Sequence, residues 1–375
     1  MKKILLILIT LAMTATVYSQ EKEIQSKGLA VLSAEGNFQP YSFTRRVMGD
    51  NDILMEILYA GICHTDIHHA HSDWGHEDYP MVPGHEIAGR VVAVGKNVTR
   101  FKVGDYAGVG CIADACGECE PCKEDMEMYC KDVVWSYHDK DHFHDNIPMQ
   151  GGYSNNYVVK EKFAVNIPAN AQIEKVAPLL CAGVTTYSPI RYVGVKRGDK
   201  VGVAGFGGLG HMAVQYAVSL GADVTVFDIT EEKRADAARL GATNYVNVTN
   251  PKEPEGLNNQ FDFILSTITA KYDPVMYVKM LKLEGKFCFV GAPANKDNAG
   301  VDDLTLVYSP HRMVFGSQIG GMKETQEMLD YSVEHNIYPE VEIIKADAAE
   351  IDKAFKRVQA GDVKFRFVID MTTLK

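Results

Sequence analysis

The sequence predicts a two-domain α/β chain, with a barrel-like β domain set beside a doubly wound parallel sheet that binds a dinucleotide. A glycine-rich turn at residues 205–210 stands between an apolar strand and a helical segment, and strand and helix patterns alternate after it through FDFILSTI and GKFCFVGA. Before it, short Gly-punctuated strands dominate, in EIAGRVVAVG, KVGDYAGVG and SNNYVVK. A length of 375 residues with 46% hydrophobic content is enough for two substantial cores.

The turn is a GxGxxG made by Gly205, Gly207 and Gly210, with Gly208 and Leu209 between the last two. It follows an apolar strand around Lys200 to Ala204 and precedes a helix expected from about Gly208 to Leu220. Gly205 permits the tight turn, Gly207 lets backbone approach a pyrophosphate, and Gly210 lets strand and helix pack closely. The helix N-terminus favours the anion. Asp228 closes a second strand, VTVF, eighteen residues after Gly210. A carboxylate there accepts hydrogen bonds from the adenosine ribose and repels a 2′-phosphate, so NAD is the first expectation. Lys233 and Arg234 follow within the next turn and could neutralise a phosphate, which leaves NADP open.

Six of the eight cysteines fall into two sets. Cys116, Cys119, Cys122 and Cys130 lie in CGECEPCKEDMEMYC, two CxxC steps sharing a cysteine and a fourth thiol eight residues on. That spacing gathers four thiolates around one tetrahedral ion and leaves no open position, so the lobe is structural. Zinc suits it best, although an iron–sulfur cluster is also bound by four thiolates. The second set is dispersed: Cys63 in GICHTDIH, His85 and Glu86 in PGHEIAG, and Cys181 in PLLCAGVTTYSP. A Cys2His site with one exchangeable position is the pattern of a zinc that polarises an alcohol or carbonyl oxygen.

These strings, with QGGYSNNYVV and GSQIGGMKETQEMLD, resemble the zinc-dependent alcohol dehydrogenases of the medium-chain dehydrogenase/reductase superfamily, most closely the cinnamyl alcohol dehydrogenase group and its bacterial aldehyde-reductase relatives. The resemblance runs from about Lys27 to the C-terminus. It implies a GroES-like catalytic domain over residues 24–178, a Rossmann domain over 179–319 and a return to the catalytic domain over 320–375, with joins near Leu179 and Ile319. It further implies reversible, nicotinamide-dependent interconversion of primary alcohols and aldehydes, aromatic or aliphatic, with one catalytic and one structural zinc per subunit in a homodimer. Carried over residue by residue, Cys63, His85 and Cys181 match the catalytic zinc ligands, and Glu86 the adjacent acid. Thr65 matches the hydroxyl that bonds the substrate oxygen, His68 the relay histidine, and Trp135 an aromatic of the substrate pocket. Thr185, Ser317 and Ile319 fall in matched strings that meet the cofactor.

Other residues read more plainly. His64, His69, His71 and His76 read as solvated surface beside the relay, and His138, His142 and His144 as a polar loop. Cys111 and Cys288 match no ligand position and read as small buried apolar groups. A net charge of −11 and a pI near 5.6 exclude nucleic acid as a partner, because phosphate would be repelled. At the N-terminus, Lys2 and Lys3, an apolar run from Ile4 to about Val17, and Ser19 before Gln20 have the three parts of a secretory signal. The expectation is therefore cleavage after Ser19, export to the periplasm and no stable membrane insertion afterwards; a true start near residue 22 would make the chain cytoplasmic. A polyol or sugar dehydrogenase on the same scaffold, and a non-catalytic zinc and nucleotide-binding module, are the alternative functions.

Overall fold

The computed structural model describes residues 23–297 and 300–375. Two sheets organise the chain. The first is antiparallel around the long strand Asp52–Ile62, which pairs with Ile87–Val94, Asn156–Lys160 and Arg366–Asp370. Tyr106–Val109 and Val165–Asn166 extend it on one side, and Val341–Lys345 on the other. Its strands carry β-branched and aliphatic side chains inward, with Ile53, Met55, Ile87 and Val91 all fully buried. The strand Arg366–Asp370 comes from the far end of the chain, so the first sheet is built from segments on both sides of the second in sequence.

The second sheet has six parallel strands. In space they run Asn244–Asn247, Asp223–Asp228, Lys200–Ala204, Phe261–Ser266, Leu281–Phe289 and Met313–Gly316. Counted along the chain this is the order 3-2-1-4-5-6, which reverses beside Lys200–Ala204 and opens a crevice at its carboxyl end. Val201 and Val203 of that strand have no exposed surface, and each buried valine of this kind stabilises the sheet by about 1.5–3 kcal/mol.

The glycine turn sits in the crevice. Gly205 has φ +88°, in the left-handed region that glycine enters without cost. A Cβ on Gly210 would stand 2.0 Å from the Gly205 carbonyl oxygen, so any larger residue would force the turn off the helix. A Cβ on Gly207 would meet nothing within 4 Å; it would project into open space. The helix that follows runs Gly210–Ser219, two residues later than the sequence suggests, because the Met212 N–H bonds the Leu209 carbonyl three residues back and so interrupts the i→i−4 ladder before Gly210.

Candidate active site

Strand pairing brings the dispersed ligands together. Ala60 pairs with Ile87, so Cys63, just past the end of Asp52–Ile62, meets His85 and Glu86 at the start of the neighbouring strand. Glu86 fits because residue 61 is glycine: a Cβ there would stand 1.9 Å from its Oε2. Cys181 joins from a short 3-10 turn, Ala177–Leu180, at the head of the helix Ala182–Val193. The ligand atoms of Cys63, His85, Glu86 and Cys181 lie within 4.8 Å of one another and all four residues are buried. The Cys63 and Cys181 sulfurs are 3.9 Å apart. His85 Nε2 and Glu86 Oε2 have no hydrogen-bond partner among the described residues, which is what atoms reserved for a metal look like.

Asp66 fixes this geometry. Its Oδ2 accepts from the Cys63 backbone N–H at 2.9 Å and from the Tyr153 hydroxyl at 3.0 Å. Its Oδ1 accepts from the Gly84 N–H at 3.2 Å and from His85 Nδ1 at 3.1 Å. His85 is thereby held with Nδ1–H toward the carboxylate and the Nε2 lone pair toward the sulfurs. Glu86 Oε1 pairs with Arg366 Nη2. Burial nevertheless pushes Glu86 up to about 7, outweighing the guanidinium. The contact from Cys181 holds the Cys63 thiol well below its usual range, and His85 and Arg366 add to this.

The second cysteine set forms a compact lobe. Cys116 Sγ lies 3.9 Å from Cys122 Sγ and 3.5 Å from Cys130 Sγ, and the four sulfurs including Cys119 fall within 4.8 Å of one another. None of them is in a disulfide. Backbone N–H groups of Glu118 and Cys119 point at Cys116 Sγ, each at 3.4 Å, and bring that thiol down to about 6. Four sulfurs aimed at one point with N–H donors behind them fit a tetrahedral zinc. Buried Glu127 pins the lobe by accepting the Met322 N–H at 3.1 Å.

A cleft of about 820 Å³ lies between the two sheets. Cys63, His85 and Cys181 form its floor, with Thr65 beside them. On the side of the parallel sheet it is lined by Thr185, Leu209, Ser317 and Ile319. Thr185 Oγ1 is buried with no partner among the described residues. Trp74, Tyr129, Trp135 and Tyr137 give the lining aromatic faces.

The amino-terminal part of the chain, residues 49–169, matches the alcohol dehydrogenase GroES-like domain, and residues 208–334 match the zinc-binding dehydrogenase domain. The chain is 45% identical over 351 residues to a protein of Bacillus subtilis named probable formaldehyde dehydrogenase AdhA, covering 93% of this chain and 99% of that one. It is 44% identical over 349 residues to aldehyde reductase YahK of Escherichia coli, covering 93% and 99%. The crystal structure of CAD from Helicobacter pylori complexed with NADP(H) superposes with a TM-score of 0.90 at 48% identity, over 94% of this chain and 99% of that one. The chain belongs to the zinc-dependent alcohol dehydrogenases. It is an oxidoreductase that interconverts alcohols and aldehydes by hydride transfer with a nicotinamide cofactor, on a GroES-like domain joined to a Rossmann domain.

The family assignment corrects the expectation of export. AdhA and YahK are matched over 99% of their length by 351 and 349 residues of this alcohol dehydrogenase, and nothing in the comparisons supports a secretory leader or a periplasmic location. Residues 1–22 lie outside the described residues. Among those described, no helix is long and apolar enough to cross a membrane.

Other residues of the enzyme stand where sequence spacing could not put them. Cys111 is not a plain core thiol: Gly110 lies so close to Leu180 that a Cβ there would be 2.8 Å from the Leu180 carbonyl, and this seats Cys111 against Cys181 on the cleft. Cys288, by contrast, is fully buried, as read. Arg366 arrives on the last strand and contacts both Glu86 and the space over Gly208, where a Cβ would lie 2.9 Å from its side chain. Asp73 holds His68 Nδ1 at 2.8 Å, and His68 Nε2 is buried without a partner among the described residues. Asp228 ends its strand as expected, with Oδ2 accepting the Phe206 N–H at 2.7 Å and Lys233 Nζ 3.7 Å away. His69 and His138 are not solvated surface. The segment between Ser72 and Pro80 folds back, and Trp74 and Tyr137 cover them edge-on. Burial pushes His69 down to about 4, His138 down to about 3, and Glu77 beside them up to about 7.

Proposed function

We propose that this dehydrogenase acts on apolar, chiefly aromatic, primary alcohols and their aldehydes, with Cys63, His85 and Cys181 as catalytic zinc ligands and Glu86 as the adjacent acid. One observation carries the reading: the buried Cys63–His85–Cys181 cluster, Thr65 and the cofactor-side residues Thr185 and Ile319 line the same aromatic-walled cleft. When bound there, zinc supplies a Lewis acid for the substrate oxygen. Thr65 is the hydroxyl placed to hydrogen-bond that oxygen. His68, oriented through Nδ1 by Asp73, offers Nε2 as the site that takes and passes on the proton. Trp74 and Trp135 give the substrate apolar faces and exclude water. The stacking area of these rings favours an aromatic alcohol over a polyol.

The nucleotide occupies the crevice at Gly205, Gly207, Gly208 and Gly210, where the open space at Gly207 admits the pyrophosphate. Thr185, Leu209, Ser317 and Ile319 continue the site into the cleft. Asp228 favours NAD(H); Lys233, near that carboxylate, is the cation available to a 2′-phosphate, and the Helicobacter pylori relative is described with NADP(H). Cys116, Cys119, Cys122 and Cys130 hold the structural zinc. The domains divide at about 24–178, 179–319 and 320–375, which agrees with the parallel sheet spanning Lys200 to Gly316 and the strands after it rejoining the first sheet. A second copy pairs at the free edge of Met313–Gly316, beside the exposed Leu304, Val307 and Tyr308.

The test is the initial rate of NADH and NADPH oxidation by the zinc-loaded chain with cinnamaldehyde, benzaldehyde and a short aliphatic aldehyde. Chelator-sensitive turnover, fastest with the aromatic aldehydes, is expected. Turnover only with polyols would overturn the substrate reading, and a monomer by light scattering would overturn the dimer.

A further inference from the structure

We propose that His69, Glu77 and His138 form a third metal site, separate from the catalytic and structural ones, that takes a divalent transition ion of the zinc class on the wall of the cleft. Their ligand atoms lie within 4.8 Å of one another. His69 Nδ1 is 2.6 Å from Glu77 Oε1, and His138 Nδ1 is 4.0 Å from Glu77 Oε2, so the carboxylate turns one oxygen to each imidazole. Zinc bonds of 2.0–2.1 Å give a tetrahedron with edges of about 3.4 Å, and the two observed separations straddle that length. Two imidazoles and one carboxylate make a set that binds zinc and leaves a position open.

Charge and enclosure point the same way. The Glu77 side chain is only 10% exposed, and among the described residues its ionic partners are the two imidazoles, with no lysine or arginine. The other mixed cluster outside the assigned sites, Asp114, Asp141 and His144, differs in this respect. Lys160 lies on Asp114 at 2.5 Å and Arg46 lies 3.6 Å from Asp141, so its negative charge is already answered. At Glu77 a proton or a metal ion must supply the balance.

The three residues come from separate pieces of chain. His69 is on the helix His64–Ala70, Glu77 follows in the returning segment, and His138 sits on a turn in the left-handed region at φ +55°. The His69 and His138 rings are stacked, with centroids 3.6 Å apart, so capture of an ion requires the half-exposed turn to tilt His138 off its neighbour. Tyr137 stands between this cluster and the catalytic one, 5.5 Å from His69 and 5.7 Å from His85, ring to ring. Both histidines line the cleft, so an ion they hold faces whatever occupies it.

Metal analysis of the full chain tests this. Wild type, loaded with zinc and freed of excess by gel filtration, is expected to carry about three ions per chain, against about two for Glu77→Gln and His138→Asn. A wild type with two ions, or variants that keep a third, overturns the proposal. Cobalt added to wild type already holding two zinc ions guards against variants that fail to fold. The third equivalent is expected to give weak visible bands without thiolate charge transfer. Saturation of no further site, or a thiolate band, overturns it.

Discussion

Asp66→Asn isolates what the buried carboxylate does for the catalytic cluster. Four donors converge on Asp66: the Cys63 and Tyr153 groups on Oδ2, and the Gly84 and His85 groups on Oδ1. An asparagine has one accepting oxygen, so in either orientation its NH2 faces two of these donors. Each buried donor left without an acceptor costs about 1–3 kcal/mol, so the loss of stability is expected to be about 2–6 kcal/mol. If the NH2 faces Gly84 and His85, the imidazole loses its orientation, and zinc affinity at Cys63, His85 and Cys181 should fall about 10- to 100-fold. The assay is competition with a chromophoric chelator, combined with urea unfolding of the same samples. Tyr153→Phe is the control: it removes one donor and keeps the carboxylate, so it should cost about 1 kcal/mol and leave zinc affinity unchanged. Wild-type zinc affinity in Asp66→Ala, which leaves His85 Nδ1 without this acceptor in any orientation, would refute the claim that Asp66 positions His85.

Further outcomes follow from the same geometry. Cys119→Ser should lower zinc content by one ion and reduce Tm by at least about 5 °C while the remaining zinc stays bound, since the lobe is a separate thiolate cluster; calorimetry with metal analysis checks it. Asp228→Ser should move the NADPH over NADH ratio of kcat/KM upward by about tenfold or more, as a negative charge that would repel a 2′-phosphate is removed; an unchanged ratio excludes Asp228 from cofactor choice. His211 is fully buried and burial pushes it down to about 3, whereas the unfolded chain protonates it near 6.5. The unfolded state therefore binds the extra proton, and stability falls as pH drops from about 6.5 toward 3, by about 2 kcal/mol at pH 5. His211→Gln should flatten that part of the pH profile relative to wild type in urea titrations.

The comparison of sequence with structure turns on how far apart in the chain each feature is made. The strand Lys200–Ala204 agrees with its sequence reading residue for residue, and the helix after it begins two residues late. The cysteine lobe is equally local, four thiols within fifteen residues. Cys63, His85 and Cys181 are legible in sequence as a candidate Cys2His set, but nothing in their separate strings reveals that Ala60 pairs with Ile87 and brings them together. Asp66 lies inside GICHTDIH, three residues after Cys63, and that capping-box spacing is the local sequence signal for its role.

The sequence by itself determined the parallel dinucleotide sheet, the glycine turn and the thiolate lobe. These depend on backbone demands and spacings that a short stretch of chain satisfies alone. Tertiary structure decided the rest. Arg366 reaches Glu86 because the last strand pairs with the end of Asp52–Ile62, 280 residues away along the chain from that glutamate. Cys111 meets Cys181 because Gly110 admits Leu180, and His69 meets Glu77 and His138 because a segment folds back under Trp74. Contacts of that kind leave no periodic trace in sequence, since they arise only when separately formed elements pack against one another.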